Sequence, residues 1–375
     1  MHEGSRIRSI MRKTVVTLGL AFVFLTILGM DVRAQVTTDV TLVPGQDMSA
    51  IWAATGMTDT QLQDFLKLKL NELFQMSNAA GFLQRFGDAQ SFTSKGLGVD
   101  YASEATYVEV GGAASFALGM DKSYQPASAL PVQVQSVGLN ASLMAGVSLM
   151  PFGIPVMLFG NGMHVPTQRY GDMSGSLDNW GVHAQLRLFG PSRKTSSLGM
   201  LVRWGGIAIT TGFDYSHMNL RLNHDIVSNF SVPNSLGNDV NVNMTGSASG
   251  IASLSVDMTT KSIPLEITTS VRLLTLLTAY GGMGFDFNVG GTSVMNLDID
   301  ARLLGHASTV PGALLDMGSA HVHATIPPVG PSAAKIRGIM GLQVNLFMVR
   351  LFTQVNIANT TPTMASLAAG VRVVY

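Results

Sequence analysis

The residues with the most obvious chemical potential in this chain are two histidines one residue apart. His321-Val322-His323 places both imidazoles on one face of an extended segment, a spacing that could bind a metal ion. A catalytic zinc usually has three protein ligands, and no third ligand accompanies the pair, so a coincidence in a surface loop is the better reading. Gly281-Gly282-Met283-Gly284 is glycine-rich. It leads into the alternation Phe285 to Val289 and not into a helix, which excludes a phosphate cradle. There is no Gly-x-Ser-x-Gly elbow, and the serines and histidines form no nucleophile–base constellation. No catalytic residue, cofactor-binding residue or metal ligand is assigned, and the expectation is a protein that is not an enzyme. The 22 methionines suit irregular apolar packing or lipid contact better than metal handling.

The other candidates are single charges set among apolar neighbours: Arg187, Arg203, Glu266, Arg272, Asp286, Asp298, Asp300 and Arg302, with Arg350 and Arg372 further on. If these face a lumen, their mixed signs and low density do not suggest an ion-selective pore, which would carry rings of one charge. They suit a lumen cross-linked by polar pairs, or a passage for uncharged or amphipathic cargo.

Composition says what must position them. Of 375 residues only 12% are charged while 46% are hydrophobic, with 23 Lys+Arg against 23 Asp+Glu. That is about half the usual charged share of a soluble protein. A helical membrane protein would show several apolar runs of about 20 residues, and only the N-terminus has one. Arg6, Arg8, Arg12 and Lys13 precede the run from Thr14 to Met30, and Val32-Arg33-Ala34 offers a cleavage site before Gln35. Residues 1–34 are therefore expected to be a signal peptide. Their loss leaves a net charge of −3 and no basic stripe, so nucleic acid is not an expected partner. The absence of Cys removes disulfides, thiolate metal sites and a lipid-modified terminus.

Residues 35–57 have no strong period. Thr58 and Gln61 then have capping-box spacing, and Leu62, Phe65, Leu66, Leu70, Leu73 and Phe74 recur at helical intervals. Gly81 interrupts them before a shorter face of Phe82, Leu83 and Phe86. This predicts one or two amphipathic helices in an N-terminal plug-like segment, 35–95, either a packed helix or a plug inside or beneath a barrel.

From about Gly96 the period becomes 2, which predicts a barrel over 96–375. Val240 to Met258 alternates most clearly, and further alternation starts at Trp180, Met218, Ile263, Met283, Leu297 and Leu342. Strands of ten residues and more approach the 9–11 that a tilted strand needs to cross a bilayer. Lipid offers no hydrogen-bond partner, so such a sheet must close on itself. Counting 99–111 and 113–119, 198–211 and 213–223 separately gives fourteen strands; merging each pair gives twelve, with a β-bulge between Tyr215 and Met218. Asp225–Asp239 and Gly305–Ala334 are the expected external loops, the second carrying Pro311, Pro327, Pro328 and Pro331. Trp180, Trp204, Tyr101, Tyr107 and Tyr215 suggest aromatic girdles.

The final strand ends in Val371, Val373 and Tyr375, with Val374 as an apolar residue on the polar face. This resembles the C-terminal assembly signal of bacterial outer-membrane barrels. Signal peptide, helical segment and strands ending in an aromatic together resemble the long-chain fatty-acid transporter (FadL-like) family, and Ser94 to Ala105 looks like the entry to that family's first strand. The Asn-Pro-Ala hatch motif is missing. The resemblance implies an all-β transmembrane antiparallel barrel of about 12–14 strands with an N-terminal helical plug, in the outer membrane of a diderm bacterium. Its expected partners are outer-membrane lipid, the barrel assembly machinery and a hydrophobic small-molecule solute. The expected function is passive uptake of small hydrophobic or amphipathic solutes. The alternatives are a non-conducting surface barrel whose external loops bind host or matrix ligands, and a general porin.

Overall fold

The computed structural model describes residues 37–47, 79–102, 107–120, 134–190, 202–232, 244–274, 276–307, 315–358 and 363–375, with isolated positions at 49, 58, 60, 63, 64 and 360. The expected signal peptide, 1–34, and the candidate plug residues Leu62, Phe65, Leu66, Leu70, Leu73 and Phe74 lie outside the described residues. Period-2 alternation yields twelve strands: β1 (Thr37–Pro44), β2 (Val108–Met120), β3 (Val134–Ser148), β4 (Val156–Tyr170), β5 (Met173–Phe189), β6 (Val202–Val232), β7 (Met244–Leu273), β8 (Leu277–Ala307), β9 (Leu315–Val329), β10 (Ala334–Leu346), β11 (Val349–Ala358) and β12 (Thr363–Val374). Helix α1 (Ala79–Thr93) precedes β2.

All the strands join one antiparallel sheet. Strand β8 pairs with β7 and, through its first half, with β10, which closes β8-β10-β11-β12-β2-β3-β4-β5-β6-β7 into a ring of ten strands. Closure gives every strand of the ring a neighbour on both sides, as lipid demands. The other two strands stand outside the ring: β9 pairs with the second half of β8, and β1 with β9.

Strands β6, β7 and β8 hold 31, 30 and 31 residues, about three times what crosses a bilayer. Their lower halves lie in the ring, and their upper halves, with β9 and β1, make an extension above it. The two halves have opposite polarity. In β7, even-numbered residues point inward throughout, and the sequence changes beneath that constant geometry. Glu266, Thr268 and Ser270 are buried inside while Ile263, Leu265 and Ile267 lie exposed outside. Above Ser262, Val256 and Met258 are inside and Asp257 is outside. Strand β6 does the same, with Ile207, Ile209 and Phe213 below and inward Met218 and Leu220 above.

Strand β8 reaches the same result by another route. Apolar residues occupy odd positions all along it, but its register against β7 slips between Asn288 and Gly290. A one-residue slip turns every side chain to the opposite face. Met283, Phe285, Phe287 and Val289 therefore face outward, whereas Met295, Ala301 and Leu303 are buried inside. The outward apolar band ends near Trp180, Phe213 and Tyr215, whose rings cluster with centroids 5.3 and 5.7 Å from Trp180. Amphipathic aromatics at that level mark a membrane–water interface. In β7 the band runs from Ile263 to Leu273, which spans roughly 25 Å once tilted.

Several expectations change. The alternations that start at Val240 and at Ile263 fall, over their described residues, in one strand, β7, and those that start at Met283 and Leu297 fall in one strand, β8. No register shift separates Tyr215 from Met218; the change there is in composition, and the β6–β7 shift lies between Trp204 and Ile207. The expected loop Gly305–Ala334 contains β9, because Pro327 and Pro328 fall inside a register shift between Ile326 and Val329 that needs no ladder bond from them. The expected loop Asp225–Asp239 is strand as far as Val232. Residues 99–102 are not strand, and Tyr101 lies buried inside the barrel, not in a girdle.

The slip in β8 depends on Gly291, whose φ of +137° is open only to glycine and whose Cβ would meet the Thr259 carbonyl oxygen at 2.4 Å. Gly291→Ala is expected to lower stability by about 1–3 kcal/mol, read as a lower midpoint in urea unfolding of the detergent-solubilised barrel.

Candidate functional site

The ring encloses a charged lumen, and the chain's own N-terminal segment fills it. Helix α1 forms because Phe82, Leu83, Phe86, Ala89 and Phe92 recur at three and four residues, all of them buried. Its first half is the core of the extension: Phe82, Leu83 and Phe86 pack against Val137, Val256, Met258, Met295 and Ile326. The helix ends where the Thr93 hydroxyl donates to the Gln90 carbonyl at 2.7 Å and Gly96 turns left-handed at φ +83°. A strap, 94–102, then descends through the lumen. Tyr107 emerges at the far end, where its N–H donates to the Tyr375 carbonyl at 2.7 Å.

Buried ion pairs fix the strap to the wall at two levels. Lys95 donates to Asp214 of β6 at 2.9 Å and to Ser262 of β7. Lower down, Asp100 accepts from Arg350 of β11 at 3.0 Å and from Arg372 of β12 at 2.9 Å. Arg372 also stacks over Phe352, 4.1 Å from the ring centroid. Between these levels, Arg337 of β10 donates to Asp286 at 2.9 Å, to Asn356 at 2.8 Å and to Glu266. Tyr101 of the strap donates to the same Glu266 at 2.6 Å. Each cation meets a carboxylate with further hydrogen bonds, the condition under which buried charge is tolerable.

The sequence-derived lumen residues divide into two groups. Glu266 and Asp286 meet on Arg337. Arg187, Arg203 and Arg272 are half-buried near the short-turn end. Asp298, Asp300 and Arg302 do not line the lumen. They lie past the slip in β8 on the outer face of the extension, paired with His323, His321 and Asp316. The Arg302 guanidinium, with the Gly318 amide, holds the Asp316 carboxyl below the usual carboxylate range. The two histidines of 321–323 thus each face an aspartate across the strand pair, and the described residues contain no group of three or more such ligands able to hold a metal. The same outer face carries His164 beside Asp178, and His217 3.1 Å from Asp257. Val371, Val373 and Tyr375 face outward, and Val374 is buried inside.

Sequence reasoning missed Lys95, Asp100, Tyr101, Asp214 and Arg337 as lumen groups. The available signal was the isolation of each charge: a charge among apolar and small residues needs a partner, and Lys95 sits alone in Ser94-Lys95-Gly96-Leu97-Gly98.

The wall itself is incomplete at one seam. Strands β3 and β4 pair only from Leu143–Gly162 to Ser148–Met157, whereas β4 follows β5 from Val156 to Tyr170. Above Leu143, side-chain amides replace the missing ladder. Gln90 of α1 donates to the Leu139 carbonyl at 3.3 Å, and Asn179 of β5 donates to the Ala141 carbonyl at 2.7 Å. A cavity of about 760 Å³ opens there, lined in part by Ser142, Leu143, Met163, His164, Asn179 and Trp180.

A closed antiparallel ring with an apolar outer band and a polar, plugged interior defines an outer-membrane β-barrel. The chain belongs to the Lsa36-like family, whose sequence profile matches residues 31–375. No curated protein matches it. Among solved structures, it is similar to the toluene transporter TbuX of Ralstonia pickettii, at 7% identity over 72% of this chain and 90% of that one, with a TM-score of 0.25. It is also similar to the translocator domain of the autotransporter NalP from Neisseria meningitidis (10% identity, 79% and 97% covered, TM-score 0.22). A third is the transport unit of the autotransporter AIDA-I from Escherichia coli (8% identity, 78% and 98% covered, TM-score 0.22).

Arg337→Met would remove the cation that Glu266 and Asp286 share, leaving Asp286 with Lys95 at 4.0 Å, and is expected to cost about 3–5 kcal/mol. Arg302→Ala, which breaks an exposed pair, is expected to cost at most about 1 kcal/mol. Urea midpoints of the two variants in the same detergent check the difference.

Proposed function

We propose that this protein is a non-conducting surface barrel, whose work is done by the extension and external connections that bind a host or matrix macromolecule. The observation that carries this reading is the strap, tied to opposite walls through Lys95–Asp214 and Asp100–Arg350/Arg372. Moving it would expose several buried charges at once, and each broken buried pair costs about 3–5 kcal/mol. The upper halves of β6, β7 and β8 add support. They spend half of three long strands on a sheet outside the bilayer, with a polar face of alternating imidazoles and carboxylates. A simple pore has no use for such a platform.

Passage of small hydrophobic solutes is the second reading. It is favoured by the β3–β4 seam, the one interruption of the wall's ladder among the described strands of the ring. Planar-bilayer recording and surface-binding assays on the refolded protein separate the two. The first reading expects no channel steps from the intact chain. It also expects saturable binding to immobilised matrix proteins that falls at least about tenfold, or 1.4 kcal/mol, when residues 233–243 and 308–314 are replaced by short Gly-Ser turns. Steady conductance of the intact protein without matrix binding would favour transport, as would currents that rise when residues 58–90 are deleted.

A further inference from the structure

We propose that the short-turn end of the barrel terminates inside the inner leaflet of the membrane, its hairpin tips inserted among acyl chains instead of standing in periplasmic water. The inference is independent of what the extension binds. Short turns of outer-membrane barrels face the periplasm, and turns in water are built mainly from Gly, Pro, Asn, Asp and Ser. Three hairpins at this end carry no charged side chain. Met150-Pro151-Phe152-Gly153-Ile154-Pro155 joins β3 to β4, Leu274-Thr275-Leu276 joins β7 to β8, and Leu346-Phe347-Met348 links β10 to β11. Leu274 is 65% exposed, Phe152 78% and Phe347 fully. The longer β5–β6 connection, 191–201, lies outside the described residues. The tips continue the outward apolar band, with Val147 and Leu158 exposed above the β3–β4 turn and Val349 and Leu351 above the β10–β11 turn. That band faces lipid, so the surface continuous with it has the same occupant. The β3–β4 turn also lies across the ring from the other two, and a leaflet touches all three at once.

Two backbone features point the same way. Leu274 (φ +52°) and Phe347 (φ +53°) are the only non-glycine residues in the left-handed region among the described residues. Gly or Asn would relieve either position, yet each carries a large, exposed apolar side chain. In the β3–β4 turn every N–H is used within the chain. Met150 donates to the Ser148 hydroxyl at 3.3 Å and Phe152 to the Leu149 carbonyl at 3.0 Å. Gly153 donates to the Met150 carbonyl at 2.9 Å and Ile154 to the Leu149 carbonyl at 3.3 Å, while Pro151 and Pro155 have no N–H to place. Carbonyls of the other two turns are engaged as well: Leu276 accepts from the Asn345 amide at 2.7 Å and Met348 from the Val374 amide at 2.8 Å. Water would satisfy such groups without internal partners, whereas hydrocarbon offers none and makes internal satisfaction necessary.

Phe347 offers the probe. In a Trp52→Phe, Trp180→Phe, Trp204→Phe background, Phe347→Trp puts the chain's only indole at a tip. The intact barrel is reconstituted in phosphatidylcholine vesicles brominated high on the acyl chains and, separately, in plain vesicles with iodide on both sides of the membrane. The expected result is loss of emission to the brominated lipid and none to iodide. Quenching by iodide would place the tip in water. Protection from both quenchers would place it under protein, as when a second copy of the chain caps this end; either result overturns the proposal. Phe347→Asn with Leu274→Asn provides a second readout, because Asn accepts a left-handed backbone and leaves the turns intact. In long-chain phosphatidylcholine vesicles the pair is expected to lower the folding equilibrium constant at least about tenfold. The loss is expected to shrink in short-chain vesicles, whose thinner core no longer reaches the tips. A pair of Asn variants as stable as the parent chain in both bilayers would also overturn the proposal.

Discussion

The structure depends on one constraint: the medium outside the sheet changes from lipid to water halfway along strands that do not break. Each inward and outward position must exchange its chemistry at that level. A charge left on the lipid face of a transmembrane barrel costs about 2–4 kcal/mol near the midplane, so the exchange must be sharp. Strands β6 and β7 achieve it by substitution, keeping even positions inward across that level and moving the apolar residues from odd to even. Strand β8 achieves it by slipping one residue at Gly290 and Gly291 while its apolar residues keep their phase. The two solutions meet at the same height, and the aromatic cluster of β5 and β6 stands there.

The two interiors created by this exchange explain the path of the N-terminal segment. Above the interface the inner face is apolar and requires an apolar partner, which is the Phe82–Leu83–Phe86 face of α1. Below it the inner face is polar and charged, and the segment changes character accordingly, from phenylalanines to Lys95, Asp100 and Tyr101. One continuous stretch of chain thus supplies a hydrophobic core to the extension and counter-charges to the lumen. The same ion pairs that make the lumen's charges tolerable therefore fix the strap across it, and at the seam, where the β3–β4 ladder stops short, Gln90 and Asn179 supply side-chain hydrogen bonds to β3.

Alternation, strand length and terminal aromatic made the barrel legible in the sequence, because period 2 over long segments has few other solutions. Position along the barrel axis was harder to read. The unbroken odd-position pattern from Met283 to Leu303 placed Asp298, Asp300 and Arg302 in the lumen, since only the backbone slip reveals that inside and outside exchange. In β7 the phase change between Met258 and Ile263 has in sequence the form of a break between two alternating segments, yet it lies within one strand. Pro327 and Pro328 suggested a loop because proline opposes pairing; they are accommodated by a register shift at the end of β9. The lumen network was illegible for a different reason. Lys95, Asp214 and Arg337 are far apart in sequence and each is a single charge, so nothing but closure of the ring brings them together.

The exchange of faces can be measured directly, and the chain's lack of cysteine makes the experiment clean. Single cysteines placed at each position of β8 from Met283 to Leu303, spin-labelled and reconstituted in a bilayer, report access to oxygen from lipid and to a water-soluble nickel reagent. The account predicts oxygen access at 283, 285, 287 and 289, then, beyond Gly291, nickel access at the even positions 292 to 302 and protection at the odd ones. Oxygen access continuing at 295, 297 and 299 would contradict it, because those side chains would then face lipid and the strand would have no second environment.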